Sequence, residues 1–196
     1  MNAIAMDTRN VIATYLDGLR QVLDRLSHED IANVVEIIRE ARRAGRTIYT
    51  CGNGGSASTA SHFAVDLAKT SIVPGQPRVR AVALTDNIGL LTAWANDTDY
   101  DNVFAEQLVN VIEPGDVLIA VSGSGNSPNV LKAVEVANQR GAITIGLSGY
   151  AGGKLRPLAR HNVVVPSESM QHIEDVHLVL NHVVVVCLRQ AMGSAG

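Results

Sequence analysis

His62 and Asp66 stand four residues apart in the stretch CGNGGSASTASHFAVDLAK, and Glu174 and His182 stand eight apart near the other end of the chain. On an α-helix, residues four apart lie within about 40° of each other around the axis, and residues eight apart about 80° and two turns apart. Each pair can therefore face one cleft. Imidazoles and carboxylates are the groups of general acid–base catalysis and also of zinc sites. The plainer alternatives are a helix-stabilising His–Asp pair on the surface and a histidine satisfied in the interior. Glu174, Asp175, His177 and His182 interrupt an apolar field, where ionisable groups are costly unless paired, hydrated or metal-bound.

Two loops accompany these residues. The first, Cys51-Gly52-Asn53-Gly54-Gly55-Ser56-Ala57, follows an apolar run and precedes a helical segment, so glycine-turn and helix N-terminal amides can converge on an anion. Gly52, Gly54 and Ala57 satisfy the loose dinucleotide pattern, but that fold wants an acidic residue about twenty positions on. Asp86 lies too far along for that role. The second loop, Ser122-Gly123-Ser124-Gly125-Asn126-Ser127, places three hydroxyls before another helix. Such hydroxyls, with helix N-terminal amides, can surround one phosphate without a lysine. In an open α/β sheet both loops fall at the carboxyl edge of the strands, where ligands bind.

The elements that must position these groups are legible from periodicity. Ile12, Tyr15, Leu16, Leu19, Val22, Leu23 and Leu26 recur at helical steps, which predicts an amphipathic helix over 7–26. Ser27 can cap a second helix running to about Ala44. This helical hairpin either caps the core or meets a neighbouring subunit. From Arg46 onward short apolar runs alternate with helical segments, the pattern of parallel strands joined by crossovers. Strands are expected at 47–51, 79–84, 117–121, 143–147 and 162–165, with helices near 58–69, 88–94, 103–109, 127–139 and 153–158. Residues 171–192 carry Ile173, Val176, Leu180, Val183, Val184 and Cys187 in helical register. Residues 182–186 alone could pass for a strand, but the length favours helix.

Composition narrows the function classes. A net charge of -3 with 16 scattered Lys and Arg opposes a broad nucleic-acid footprint, which needs a basic face. Cys51 and Cys187 lack metal spacing and read as reduced packing residues of a cytosolic protein. The N-terminus shows no basic region followed by an apolar stretch, and no apolar run approaches the ~20 residues of a membrane span. A soluble, cytoplasmic chain with one domain over 1–196 is expected, its helical hairpin at 1–45 and its α/β core at 46–196.

The chain resembles the sugar isomerase (SIS) domain family, and within it the phosphoheptose isomerases. The resemblance rests on the N-terminal helical pair, CGNGGSASTASHFAVDL, WANDTDYDNVFAEQL, VSGSGNSPNVLKA, LSGYAGGKL and IEDVHLVLNHV. It implies a three-layer αβα sandwich with a five-stranded parallel flavodoxin-like sheet and usually a homotetramer with sites between subunits. It implies that Ser56, Ser122, Ser124 and Ser127 hold a phosphate beside Gly54 and Gly55, with Gly123 where some members supply a further hydroxyl. Asn53 and Asp97 would contact sugar hydroxyls. His62, Asp66, Glu174 and His182 would form a catalytic and metal cluster, with zinc in many members; Asp66 or Glu174 would be the base and His182 the acid or a ligand. The family usually has glutamate at the position of Asp66 and glutamine at that of Glu174. The implied reaction is aldose–ketose isomerisation of sedoheptulose 7-phosphate through an enediolate. The rival is a phosphosugar-binding or protein-interaction module without catalysis, like the replication-initiator-associating relatives. His172, at the start of the last helix, reads as a solvated cap or a contact to a substrate hydroxyl, and His177 as a packing histidine or one that supports the site from behind.

Overall fold

A computed structural model describes residues 7–193; the outermost parts of the expected domain, 1–6 and 194–196, lie outside the described residues. Two antiparallel-compatible helices come first, α1 (Thr8–Leu23) and α2 (His28–Arg43). Ser27 caps α2, its hydroxyl accepting from the Asp30 amide at 3.2 Å. There follow β1 (Thr47–Cys51), α3 (Gly55–Val65) with a π-helical turn (Asp66–Thr70), β2 (Arg80–Ala83), α4 (Ile88–Asp97) and a 3₁₀ turn (Tyr100–Asn102). The chain continues with α5 (Ala105–Val111), β3 (Val117–Ser122), α6 (Pro128–Gln139), β4 (Ile143–Ser148), α7 (Leu155–Leu158), β5 (His161–Val164) and α8 (Met170–Gly193).

The five strands are all parallel in the order β2-β1-β3-β4-β5. This is the flavodoxin-like order, in which the strand sequence reverses between β1 and β3 and leaves a crevice at their carboxyl ends. Alternation along the strands feeds two cores. Ile48, Val117, Ile119 and Val121 face α2, α3 and α8, with Phe63, Leu67, Ile173 and Leu180. Tyr49, Cys51, Leu118 and Ala120 face α5, α6 and α7, with Phe104, Leu108, Val130 and Leu155. Period-two alternation in a sheet buried on both faces makes each strand read as a continuous apolar run. Asp116 pins the base of the sheet: its buried carboxylate accepts from the Thr47 and Glu113 amides, each at 2.9 Å. Hydrogen bonds to a charged group of this kind contribute about 1.5–3 kcal/mol each.

Several boundaries differ from the periodicity. α3 begins at Gly55, three residues before the expected start, because the small residues of 55–57 form its first turn. β2 is shorter than 79–84, as an edge strand that pairs only with β1. The expected helix over 103–109 is shifted to α5 (Ala105–Val111), with the 3₁₀ turn just before it, and α7 keeps only four residues. The apolar stripe of α1 divides in two. Val22 is buried and Leu19 and Leu23 pack against the core, whereas Val11, Ile12 and Leu16 are 49%, 54% and 43% exposed. Both cysteines are free, and no helix among the described residues is long and apolar enough to cross a membrane.

Candidate active site

At the crevice between β1 and β3 the two loops meet. A cleft of about 290 Å³ is lined by Asn53, Gly54, Gly55, Ser56, Val121, Ser122, Gly123, Ser124, Ser127, Met170 and Glu174. The first half is built by Gly54, whose φ of 54° is the left-handed conformation that glycine adopts without strain. It lets the chain turn from β1 directly into α3, so Gly55 and Ser56 occupy the first turn, where backbone N–H groups lack helical acceptors. In the second half Ser127 is the N-cap of α6, yet its hydroxyl makes no capping bond. The Ser122 hydroxyl instead donates to Ser127 Oγ at 3.2 Å, and Ser124 Oγ accepts from the Asn126 amide at 3.2 Å. Gly125 packs so tightly that a Cβ would lie 2.1 Å from the Gly152 carbonyl, which locks this loop against the turn after β4.

Asn53 is tied into the scaffold. Its carbonyl accepts from Asn129 Nδ2 at 2.9 Å and Tyr100 OH at 3.0 Å, and its amide donates to Asn129 Oδ1 at 2.8 Å. The buried Asn129 thus joins the two halves of the cradle, a role that sequence reading missed; its place two residues beyond the last loop serine was the available signal. Met170 was also missed. Its sulfur sits where a side chain at Gly123 would go, 2.5 Å from the Cβ position.

The charged residues divide into two places. His62 Nε2 lies 3.3 Å and His182 Nε2 3.6 Å from the same carboxylate oxygen of Asp66, Oδ2, and the imidazoles meet edge to face with centroids 5.1 Å apart. One ligand atom from each of these three residues falls within 4.8 Å of the others. Asp66 is buried while both histidines are about half exposed, so the group opens to solvent on the imidazole side. Two imidazoles and a carboxylate with an open side suit a catalytic zinc ion. Glu174 does not join them. The structure sets its carboxylate against Gly55, where a Cβ would come within 2.5 Å of Oε1, because the two turns of α8 separating it from His182 amount to about 12 Å.

Other expected contacts fall elsewhere. Asp97 is the exposed last residue of α4, accepts from Asn96 Nδ2 at 2.8 Å and is not among the cleft-lining residues. His172 is no solvated cap: it packs edge to face on Tyr15 and its Nε2–H donates to the Tyr15 carbonyl at 3.1 Å, which joins α8 to α1. His177 is fully buried, as a packing histidine would be.

The SIS domain family model matches residues 14–149. A phosphoheptose isomerase of Akkermansia muciniphila is 39% identical over 176 residues, spanning 90% of this chain and 92% of its own. The chain belongs to the SIS domain family, among the phosphoheptose isomerases. The phosphoheptose isomerase structure from Neisseria gonorrhoeae superposes with a TM-score of 0.86 at 30% identity, covering 93% of this chain and 98% of that one. That from Francisella tularensis gives 0.88 at 27% identity, over 94% and 100%. In this SIS domain phosphosugar isomerase the paired serine loops line a cleft at the strand-order reversal of the sheet.

Proposed function

We propose that this SIS domain protein interconverts sedoheptulose 7-phosphate and D-glycero-D-manno-heptose 7-phosphate in the cytoplasm. The observation that carries the reading is the arrangement along α3 and α8: the serine cradle meets Gly55 and Glu174, and the His62–Asp66–His182 group lies further along both helices. Ser56, Ser122, Ser124 and Ser127 hold the phosphate with the first-turn amides of α3. The sugar lies in the cleft with C1 and C2 beside Glu174.

His62, Asp66 and His182 would hold zinc, which when bound would supply a Lewis acid for sugar oxygens. Glu174 is the base. Both oxygens of Asp66 are engaged, Oδ2 by the two imidazoles and Oδ1 by Thr70, whereas the Glu174 carboxylate lines the cleft itself. It takes a proton from C1; the C1–H electron pair becomes the C1–C2 double bond and the carbonyl pair moves to O2, giving the enediolate. O2 then gains a proton, O1 loses one to become the aldehyde oxygen, and Glu174 returns its proton to C2. Substrate and product differ only in where two hydrogens reside.

The enzyme is proposed to work as a homotetramer. Val11, Ile12 and Leu16 on α1 and Val65, Val183 and Val186 near the histidines in sequence are exposed apolar residues, which an interface between copies would cover. Sedoheptulose 7-phosphate supplied to the protein should yield the aldose by ¹H NMR. Ser124→Ala should raise KM with kcat largely kept, while Glu174→Gln should cut kcat by about 10²-fold or more. Tight binding of the ketose without any aldose would instead favour a non-catalytic phosphosugar-binding module.

A further inference from the structure

Asp66 is the residue at which α3 changes its winding. The helix is α through Val65 and π over Asp66–Thr70, closed by the Ser71 amide donating to the Asp66 carbonyl at 2.9 Å, five residues back. Such single-turn π segments concentrate at functional sites, where they re-aim a side chain. Within this turn the Thr70 hydroxyl donates to Asp66 Oδ1 at 2.8 Å. A helical threonine or serine ordinarily bonds back to a main-chain carbonyl three or four residues earlier. Ser71 does so to Leu67 at 2.5 Å and Thr92 to Ile88 at 2.8 Å. Thr70 uses its hydroxyl on a side chain instead.

The consequence is geometric. A carboxylate rotates broadly about its last torsion, and either oxygen could face the histidines. With Oδ1 held by Thr70, Oδ2 is left facing both His62 and His182, at 3.3 and 3.6 Å. Asp66 is buried and Thr70 exposed. We propose that Thr70 is a positioning residue: it fixes the plane of the Asp66 carboxylate so that one oxygen serves the imidazole pair. The proposal rests on the reading of His62, Asp66 and His182 as a zinc group, in which hydrogen-bonded partners of a ligating carboxylate orient it.

The test uses the full chain as wild type, Thr70→Val and Thr70→Ser, with zinc affinity read by competition against a chromophoric chelator and metal-free stability by thermal unfolding. Valine keeps the branched shape and removes the donor; serine keeps the donor and removes the methyl. Zinc binding should weaken about 10–100-fold in Thr70→Val and stay near wild type in Thr70→Ser, with metal-free melting temperatures alike. Wild-type affinity in Thr70→Val, or equal weakening in both variants, would overturn the positioning role. A wild-type protein that takes up no zinc would instead overturn the zinc reading and the proposal with it.

Discussion

Asp66 and Glu174 are carboxylates on neighbouring helices, yet the fold gives them different tasks by their surroundings. Asp66 is buried between Thr70 and two imidazoles, whereas Glu174 lies in the cleft against a bare glycine. His177, one turn beyond Glu174, is different again. Burial pushes its imidazole down to about 4, with the Ser148 backbone, near the ring but outside good hydrogen-bond geometry, pulling weakly the other way. Well above pH 6.5 the ring is neutral in both folded and unfolded chains and its titration contributes nothing. As pH falls from there toward 4, only the unfolded chain gains the proton, so stability drops, by about 3 kcal/mol at the limit. Urea unfolding at pH 7 and pH 4.5 should register this loss, and His177→Leu should flatten that part of the profile; an unchanged slope would assign it to other groups. The residue types of the site were legible in the sequence, because ionisable groups in an apolar helix and hydroxyls between glycines stand out. Their partition was not. Helical spacing alone gives an angle, and it allowed Glu174 and His182 one cavity when the rise of α8 keeps them about 12 Å apart.

At the scale of elements, strands β1 and β3 and the order of helices followed directly from apolar runs alternating with amphipathic segments. The start of α3 did not, because Gly55, Ser56 and Ala57 have the composition of a loop and only the left-handed Gly54 turns them into a helix. The π turn was equally hidden, since Asp66 and Leu67 are both buried and the apolar pattern does not distinguish a π turn from α there. The first turn of α3 offers a sharp test. Gly55 is the first residue of α3 and has no positive φ, so alanine there carries no conformational strain and restricts the unfolded chain, by about 0.4–1 kcal/mol. Its Cβ would nevertheless lie 2.5 Å from Glu174 Oε1, and the flexible end of that side chain must move. Gly55→Ala should therefore fold with a melting temperature at or above wild type while losing about 10²-fold in kcat, the cost of displacing a reacting group by an ångström. Full activity in that variant would show that Glu174 does not act from its position over Gly55.

For the molecule as a whole, the five-stranded parallel sheet sets the two loops side by side at the strand-order reversal, and α8 runs past both the cradle and the histidines. Among the described residues the outer half of the α1 stripe is uncovered, with Ile12 the most exposed at 54%. Sedimentation of the wild type should give the mass of a tetramer, and Ile12→Glu with Leu16→Glu should lower it; a monomeric wild type at micromolar concentration would contradict the assembly. The sequence signalled that this stripe needed covering but could not divide it between core and neighbour, which depends on where α8 lies. The central claim is that this cleft removes a proton from the carbon beside a phosphosugar carbonyl. It is tested most directly by incubating the protein with sedoheptulose 7-phosphate in D₂O and following deuterium into C1 and C2 by NMR. Exchange at these carbons, lost in Glu174→Gln and kept in a variant that only weakens phosphate binding once the ketose is saturating, is the predicted result. Saturated binding with no deuterium at either carbon would contradict it.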